Sequence, residues 1–329
     1  MKSNLPLVSI VVPVRNEEKN LPRLLDSIKK LDYSQNKFEL IIVDGYSTDE
    51  TVKIAKRFGA KIFKNPGKIR STGCQIGVSK AQGEFIAFTD ADCSVPSGWL
   101  KGLLGPFKTK NIAAVGGPNV TPKDDTLFAK AAGEALWLLA RTGSRYGFSG
   151  QKVVEIYHNP GCNVIYRKKA IQSVGGFNPY LLTCEDEELD FRLRQTGYKL
   201  LFTPNVVVDH YRRPTYRKIY IQAYRFAIGR SLAIKMHWKM ASWFHFGPTL
   251  LLLSLLASSL PVAGLLSVFF YPAAFYLAAV SLAFLTASWY LSLTKRTAAF
   301  YVYLLIFFCW FSGWGLGFII GFFHNRMSR

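Results

Sequence analysis

No acidic residue follows Asp209 in this chain of 329 residues, although 21 occur up to that point. Between Phe246 and Phe323 charge of either sign is nearly missing, Lys295 and Arg296 being the exceptions. These absences exclude one evenly solvated globule and indicate a soluble domain followed by membrane-inserted helices. Paired cysteine spacing is also lacking: Cys74, Cys93, Cys162, Cys184 and Cys309 are scattered, with no CxxC and no Cys/His cluster along the sequence. A zinc ribbon or a disulfide framework is thereby excluded, and reduced thiols are expected. The apolar run at the N-terminus is short and broken by Pro13, so no signal peptide is expected.

What is present is unevenly placed. Twenty-nine basic residues precede His210 and 12 follow it, giving formal charges of +8 and +12 on the two parts. Eight of them fall between Tyr211 and Lys239, interleaved with aromatic and aliphatic residues. That pattern suits anionic headgroups or phosphates. No recognition module for nucleic acid accompanies it, so nucleic acid is not an expected partner. The expected organisation is a catalytic domain over 1–210, a basic amphipathic interface segment over 211–245, and a transmembrane domain over 246–329. Three helices are expected there, at about 246–270, 272–293 and 298–323, with Pro261 kinking or breaking the first and Pro272 opening the second. Trp238 and Trp243 are expected interfacial anchors, and the basic segment argues for a cytosolic catalytic domain. Lys295-Arg296 returns to that side, whereas three spans place Arg326 and Arg329 on the other. Gly313, Gly317 and Gly321 stripe one face of the last span and indicate close helix packing.

The first third alternates strand and helix. Val8–Val12, Leu40–Val43, Lys61–Phe63 and Glu84–Thr89 read as buried strands, with helices between them over Leu21–Ile28, Asp49–Phe58 and Ile69–Ala81. Ala113–Val120 reads as a further strand, and Leu127–Leu139 as an apolar helix docked on protein or lying at the membrane surface. Val164–Tyr166 and Leu200–Phe202 read as short strands around an acidic helix over Glu185–Gln195. Repeated β-α units give an α/β fold, a Rossmann-like mixed and mostly parallel sheet whose ligands sit at the carboxyl ends of its strands. Asp44, Asp90 and Asp92 all fall at such ends. A pair of carboxylates there suits a hard divalent cation and, through it, a diphosphate. Five acids in the six positions Glu185–Asp190 form a second constellation, for which a solvated helix terminus is the simplest reading.

Taken together, three segments resemble family 2 glycosyltransferases of the GT-A fold. They are Val8-Ser9-Ile10-Val11-Val12-Pro13-Val14-Arg15-Asn16-Glu17-Glu18, Ile41-Ile42-Val43-Asp44-Gly45-Tyr46-Ser47-Thr48-Asp49, and the strand running into Asp90-Ala91-Asp92. The resemblance implies a nucleoside pocket lined by Pro13, Asn16 or Glu17, and Asp44. It further implies diphosphate contacts from Lys68 and Arg70, Asp90 near the ribose, and Asp92 on a Mn²⁺ or Mg²⁺ ion. Gln75 stands where the family usually has Asn. The acidic run resembles the family's Glu-Asp motif, which makes Asp186 the general base beside Glu185, with Gly161 and Cys162 on the acceptor side. Clustered negative charge is expected to raise the proton affinity of that base. Gln222-Ala223-Tyr224-Arg225-Phe226 resembles the Gln-x-x-Arg-Trp signature of membrane-integral cellulose and hyaluronan synthases. On that match Gln222 and Arg225 bind the departing diphosphate and Phe226 lies near the acceptor, while His210 is a third metal ligand, a phosphate ligand or a structural histidine.

The implied activity is inverting, metal-dependent hexose transfer from a nucleotide-diphosphate sugar to a lipid-linked acceptor. The sugar donor leans to GDP-mannose, with UDP-glucose the alternative, and the partners are that donor, the lipid-linked acceptor and membrane lipids. A processive polysaccharide synthase and a catalytically silent nucleotide-sugar-binding scaffold are the rival readings.

Overall fold

The computed structural model describes residues 5–143, 152–258, 267–295 and 299–323. Its chain divides into two compact units, one of Met1–Pro122 with Arg145–Tyr211, the other of Lys123–Ser144 with Arg212–Arg329.

In the first unit the elements run β1 (Val8–Val14), α1 (Leu21–Lys29), β2 (Phe38–Asp44), α2 (Thr51–Arg57), β3 (Lys61–Lys64), α3 (Arg70–Lys80) and β4 (Phe85–Phe88). They continue with β5 (Cys93–Ser94), α4 (Trp99–Leu104), β6 (Ile112–Gly116) and β7 (Asn119–Val120). The helix α5 (Leu127–Gly143) belongs to the second unit. The chain then resumes the first with β8 (Val154–Ile156), β9 (Val164–Arg167), α6 (Lys168–Ser173), α7 (Glu185–Gln195), β10 (Lys199–Phe202) and β11 (Val208–His210). The main sheet has the order β3-β2-β1-β4-β9-β6-β10-β8. Strands β3, β2, β1 and β4 are mutually parallel, as are β6 and β10, whereas β9 runs antiparallel between β4 and β6. The fold is thus the mixed, mostly parallel α/β sheet expected from the sequence.

Continuous apolar strands follow from burial on both faces. Val8, Ile10 and Val12 pack with Leu21, Leu24 and Leu25 of α1, while Val11, Ile41 and Val43 face Cys74 and Val78 of α3. A Cβ at Gly77 would overlap the Val11 side chain, and one at Gly73 would lie 3.0 Å from Pro13 Cβ. Two glycines four residues apart therefore let α3 lie directly on β1, which brings Arg70, its first residue, to the carboxyl edge of the sheet.

The expected strand over Ala113–Val120 is two strands. Gly117 N–H turns aside to Asn163 O, 3.1 Å away, and Pro118 has no N–H to continue the ladder. Asn119 and Val120 instead pair with β11 in a separate three-stranded sheet, β5-β11-β7. Three short strands (β5, β8 and β11) escaped the sequence pattern because two or three residues carry no readable alternation.

The second unit holds α5, α8 (Tyr216–Met236), α9 (Trp243–Ser258), α10 (Ser267–Thr294) and α11 (Phe300–Phe323). Segments Ala274–Thr294 and Phe300–Phe323 are long and apolar enough to cross a membrane. Helix α9 ends its described part at Ser258; residues 259–266 of the first expected span, with Pro261, lie outside the described residues, as do Arg296, Arg326 and Arg329, and the last four residues of that span belong to α10. Pro272, expected to open the second span, sits inside α10, which begins five residues earlier at Ser267. One proline removes only one backbone donor, and Ser267-Val268-Phe269-Phe270 offers nothing to stop a helix.

The glycine stripe of α11 seats α8. A Cβ at Gly313 would lie 2.5 Å from Tyr220 O, one at Gly317 would overlap Tyr224 O, and one at Gly321 would lie 2.8 Å from Ile228 Cα. Both helices step by four, so they run parallel in register. The apolar face of α8 (Ile219, Ala223, Ala227) is thereby taken up by protein, which changes the picture of a free amphipathic interface segment. Trp238 and Trp243 remain highly exposed, as anchors require. Helix α5 docks on protein too: Ala131, Ala132 and Ala135 pack with Tyr303, Ile306 and Phe307, and Glu134 accepts the Tyr303 hydroxyl at 2.5 Å.

Candidate active site

The register of the sheet gathers the expected residues at one edge. Val14 lies beside Asp44, and Val11 beside Phe88, so the loops after β1, β2 and β4 leave together. Because β9 is antiparallel, the residues preceding it, His158–Asn163, arrive at the same edge.

On the nucleoside side, Asn16 and Tyr46 both have positive φ (56° and 61°), a region that non-glycine residues seldom occupy. The loops lock each other: Ser47 Oγ accepts Asn16 N–H at 2.9 Å, and Asn16 Oδ1 accepts Thr48 N–H at 2.8 Å. Glu17 N–H donates to Thr51 Oγ1, and the Glu17 carboxylate accepts the Asn20 amide. Asp44, buried, accepts Ser47 N–H at 3.1 Å. It closes a turn, and a carboxylate keeps further lone pairs for a ligand. Pro13 is partly buried beneath Gly73. Lys68, exposed and at φ 57°, reaches within 5.5 Å of the Tyr46 ring.

Arg70 joins the two acidic constellations. Its Nε donates to Asp90 Oδ1 at 3.0 Å, Nη1 to Glu185 Oε1, and Nη2 to Gly161 O at 2.8 Å. Burial works against its charge, but the carboxylates of Asp90, Glu185 and Asp186 more than offset this and keep the guanidinium protonated. Gly161 in turn donates its N–H to Asp186 Oδ2 at 3.0 Å. A Cβ at Gly161 would lie 2.6 Å from that oxygen and 3.0 Å from Arg70 Nη2, so the position requires glycine. Glu185 is 3 % exposed, and burial raises its proton affinity against the pull of Arg70. The acidic helix end is therefore no isolated negative patch, since Arg70, the Gly161 N–H and a histidine sit among its carboxylates.

That histidine is His158, which sequence reasoning missed. Its Nδ1 is 3.0 Å from Asp190 Oδ2, and Nε2 is 3.9 Å from both Asp186 Oδ2 and Glu187 Oε1. Asp190, fully buried, also accepts Asn159 N–H at 2.9 Å and the Tyr166 hydroxyl at 2.8 Å. Burial alone would depress the imidazole, yet the charges of Glu187 and Asp186 and the Asp190 bond lift it from 6.5 to about 9. A group whose folded pKa is raised adds stability below its unfolded pKa and loses it as pH rises through the folded one. Thermal melts of detergent-solubilised protein should therefore show this contribution complete below pH 6.5 and gone above about pH 9. A His158→Gln protein should lack that part of the slope.

The three-stranded sheet seats the last expected residue. Pairing of His210 with Cys93 in β11 and β5 sets its ring beside the acid motif, and Tyr211 N–H bonds Asp92 O at 3.0 Å. His210 Nε2 lies 3.3 Å from Asp92 Oδ1, while Nδ1 faces Cys162 Sγ at 3.9 Å. Burial opposes its charge, but Asp92 and Cys162 raise it to about 10. Ligand atoms of Asp90, Asp92 and His210 lie within 4.8 Å of one another, as do those of Cys93, Cys162 and His210. Oxygens with one imidazole fit Mn²⁺ well and Mg²⁺ less closely, and this set has the more open side chains. The sulfur set is a Cys/His cluster that no sequence spacing announced. Cys93 is fully buried and Cys162 nearly so, with Cys162 drawn down by its hydrogen bond to Cys93 and by His210. Cys162 thus backs the His210 ring. Gln75 accepts Phe177 N–H at 2.8 Å, fastening the Gly175-Gly176 turn to α3. Asn163 takes the Trp99 indole N–H at 2.9 Å and donates to Pro118 O and Val206 O.

Gln222, Arg225 and Phe226 are on α8 in the second unit. Gln222 is partly buried and Arg225 exposed, and the Phe226 ring meets Trp310 edge to face at 6.1 Å.

The sequence model described as glycosyl transferase family 2 matches residues 9–175, just over half of the 329. The chain belongs to that family. This transferase is 27 % identical over 223 residues to glycosyltransferase AglE of Haloferax volcanii, across 65 % of its own length and 70 % of the relative's. It is 26 % identical over 267 residues to a dolichyl N-acetyl-alpha-D-glucosaminyl phosphate 3-beta-D-2,3-diacetamido-2,3-dideoxy-beta-D-glucuronosyltransferase of Methanococcus voltae, across 77 % and 82 %. Among solved structures it resembles the mannosyltransferase PcManGT of Pyrobaculum calidifontis, held in complex with GDP-Man and Mn²⁺. The TM-score is 0.62 at 17 % identity, over 98 % of the transferase and 89 % of the other chain, a likeness of fold. The transferase has the GT-A architecture, with two apolar C-terminal helices suited to a membrane.

Proposed function

We propose that this glycosyltransferase moves a hexose, with inversion, from a nucleotide-diphosphate donor to a lipid-linked acceptor at the cytosolic membrane face. The observation that carries the reading is Arg70, which ties Asp90 of one motif to Glu185 and Gly161 of the other, with Asp186 adjoining. A donor-side acid motif and an acceptor-side base must meet across one reacting carbon, and this clamp brings them together.

In this reading Asp44, Asn16 and Pro13 hold the nucleoside, and Lys68 with Arg70 meets the diphosphate. Asp90, Asp92 and His210 would hold Mn²⁺ or Mg²⁺, which supplies positive charge to the leaving diphosphate. Asp186 takes the acceptor hydroxyl proton as the oxygen–carbon bond forms on the face of the anomeric carbon opposite the leaving diphosphate. The bond from the anomeric carbon to the diphosphate breaks, its electron pair leaving on the phosphate oxygen. Gln222 and Arg225, as amide and guanidinium donors, suit phosphate oxygens, and Phe226 suits an apolar acceptor.

GDP-mannose is the favoured donor, supported by the fold neighbour in complex with GDP-Man and Mn²⁺, with UDP-glucose next. The lipid-linked acceptor is supported by the dolichyl-phosphate chemistry in the name of the M. voltae relative and by the apolar helices α10 and α11. Lys295 and the basic residues just before α8, Arg212 and Arg213, support the cytosolic orientation. The decisive experiment incubates protein in membranes with labelled GDP-mannose, UDP-glucose and other nucleotide-sugars, Mn²⁺ or Mg²⁺, and a polyprenyl phosphate or lipid extract. One added sugar per lipid, abolished by chelation, is expected. A lengthening product ladder would favour a processive synthase, and no metal-dependent transfer from any donor would sink the reading.

A further inference from the structure

His158 takes no part in the mechanism above, yet its ring is fixed and faces the base. Asp190 holds Nδ1 at 3.0 Å and is itself immobilised by Asn159 N–H and the Tyr166 hydroxyl. The other ring nitrogen, Nε2, stands 3.9 Å from Asp186 Oδ2 and 3.9 Å from Glu187 Oε1. Around it, α7 contributes Glu185, Asp186, Glu187 and Asp190, β9 contributes Tyr166, and α3 contributes Arg70. That arginine is already engaged with Asp90, Glu185 and Gly161 O. Asp186 thus has one backbone donor from Gly161, one from Glu187 within its own helix, and the imidazole beside it as a cation that, unlike Arg70, is not bound to Asp90 or Glu185.

We propose that His158, anchored by Asp190, is a positioning residue that keeps Asp186 ionised and aimed within an acid-rich helix end. The inference rests on the reading of Asp186 as the base. At 3.9 Å the ring acts through charge and not through a direct hydrogen bond. The Glu187 and Asp186 charges keep it cationic at neutral pH although burial opposes this. During transfer the acceptor proton passes to Asp186, while His158 keeps its own proton throughout. Without the imidazolium, the only counter-charge beside Asp186 among the described residues would be Arg70, already bound to Asp90 and Glu185, and the surrounding carboxylates would favour its protonated, inactive form.

The test measures kcat and KM against pH for the wild type, His158→Gln, His158→Lys and Asp190→Asn, with the donor selected by the panel above. For His158→Gln the acid limb of kcat should move up by about one pH unit, roughly tenfold on the acid side. Activity should recover on the alkaline side, and KM for the donor should hold. His158→Lys should bring the limb back toward the wild type, and Asp190→Asn should displace it in the same direction as His158→Gln. An unmoved limb, or an equal loss at every pH, overturns the proposal. Should His158→Gln not fold, the Asp190→Asn and His158→Lys profiles decide by the same criteria. Full turnover by Asp186→Asn would instead refute the base assignment. An inactive Asp186→Asn with an unmoved His158→Gln profile would remove the His158 role alone.

Discussion

Asp186→Asn is expected to cut turnover by about 10²- to 10⁴-fold, the usual worth of a positioned general base, while leaving donor affinity close to wild type. The substitution is nearly isosteric, and the amide oxygen can still accept the Gly161 N–H that Asp186 Oδ2 accepts at 3.0 Å. What disappears is the site for the acceptor's proton. Glu185 cannot replace it, because it is 3 % exposed and bound to Arg70. Single-turnover transfer rates and calorimetric titration with donor and Mn²⁺ would separate chemistry from binding. Weakened donor binding at an undiminished rate would assign Asp186 to the donor side.

The second large effect concerns the helices of the second unit. Gly317→Leu is expected to part α8 from α11, because even its Cβ overlaps Tyr224 O, and a backbone carbonyl cannot rotate away as a side chain can. Overpacking of this kind costs about 1–3 kcal/mol or more, and here it falls midway between the contacts at Gly313 and Gly321. Lower thermal stability in detergent and a broadened size-exclusion peak should accompany lost activity. Gly315→Ala should strain a different seam, since its added carbon would lie 2.6 Å from Pro248 O of α9, so comparing the two variants separates the α8 contact from the α9 contact. Normal behaviour of Gly317→Leu would mean that the seam yields easily.

The parallel core was legible because burial on both faces leaves uninterrupted runs such as Val8–Val12 and Ile41–Val43. Asp44, Asp90 and Asp92 were legible as strand-end carboxylates, and helix α7 was read to the residue. His158 was not, since a single histidine carries no spacing, and its partner Asp190 is hidden in a run of acids where sequence alone cannot tell the buried member from the solvated ones. The seating of His210 depends on two- and three-residue strands from distant parts of the chain, and its sulfur neighbours Cys93 and Cys162 stand 69 residues apart. The glycine stripe announced close packing, but nothing along the chain named α8 as the helix it receives.

The excursion of α5 into the second unit bears on any attempt to free the catalytic unit from its helices. Removing everything after Tyr211 would respect that residue, whose N–H bonds Asp92 O and whose ring lies 3.6 Å from the Arg23 guanidinium. It would nevertheless leave α5 behind, stripped of Tyr303, Ile306 and Phe307, with Ala131, Ala132 and Ala135 turned out to water. A soluble fragment therefore needs two cuts: one beyond Tyr211, and one that replaces α5 with a short polar loop.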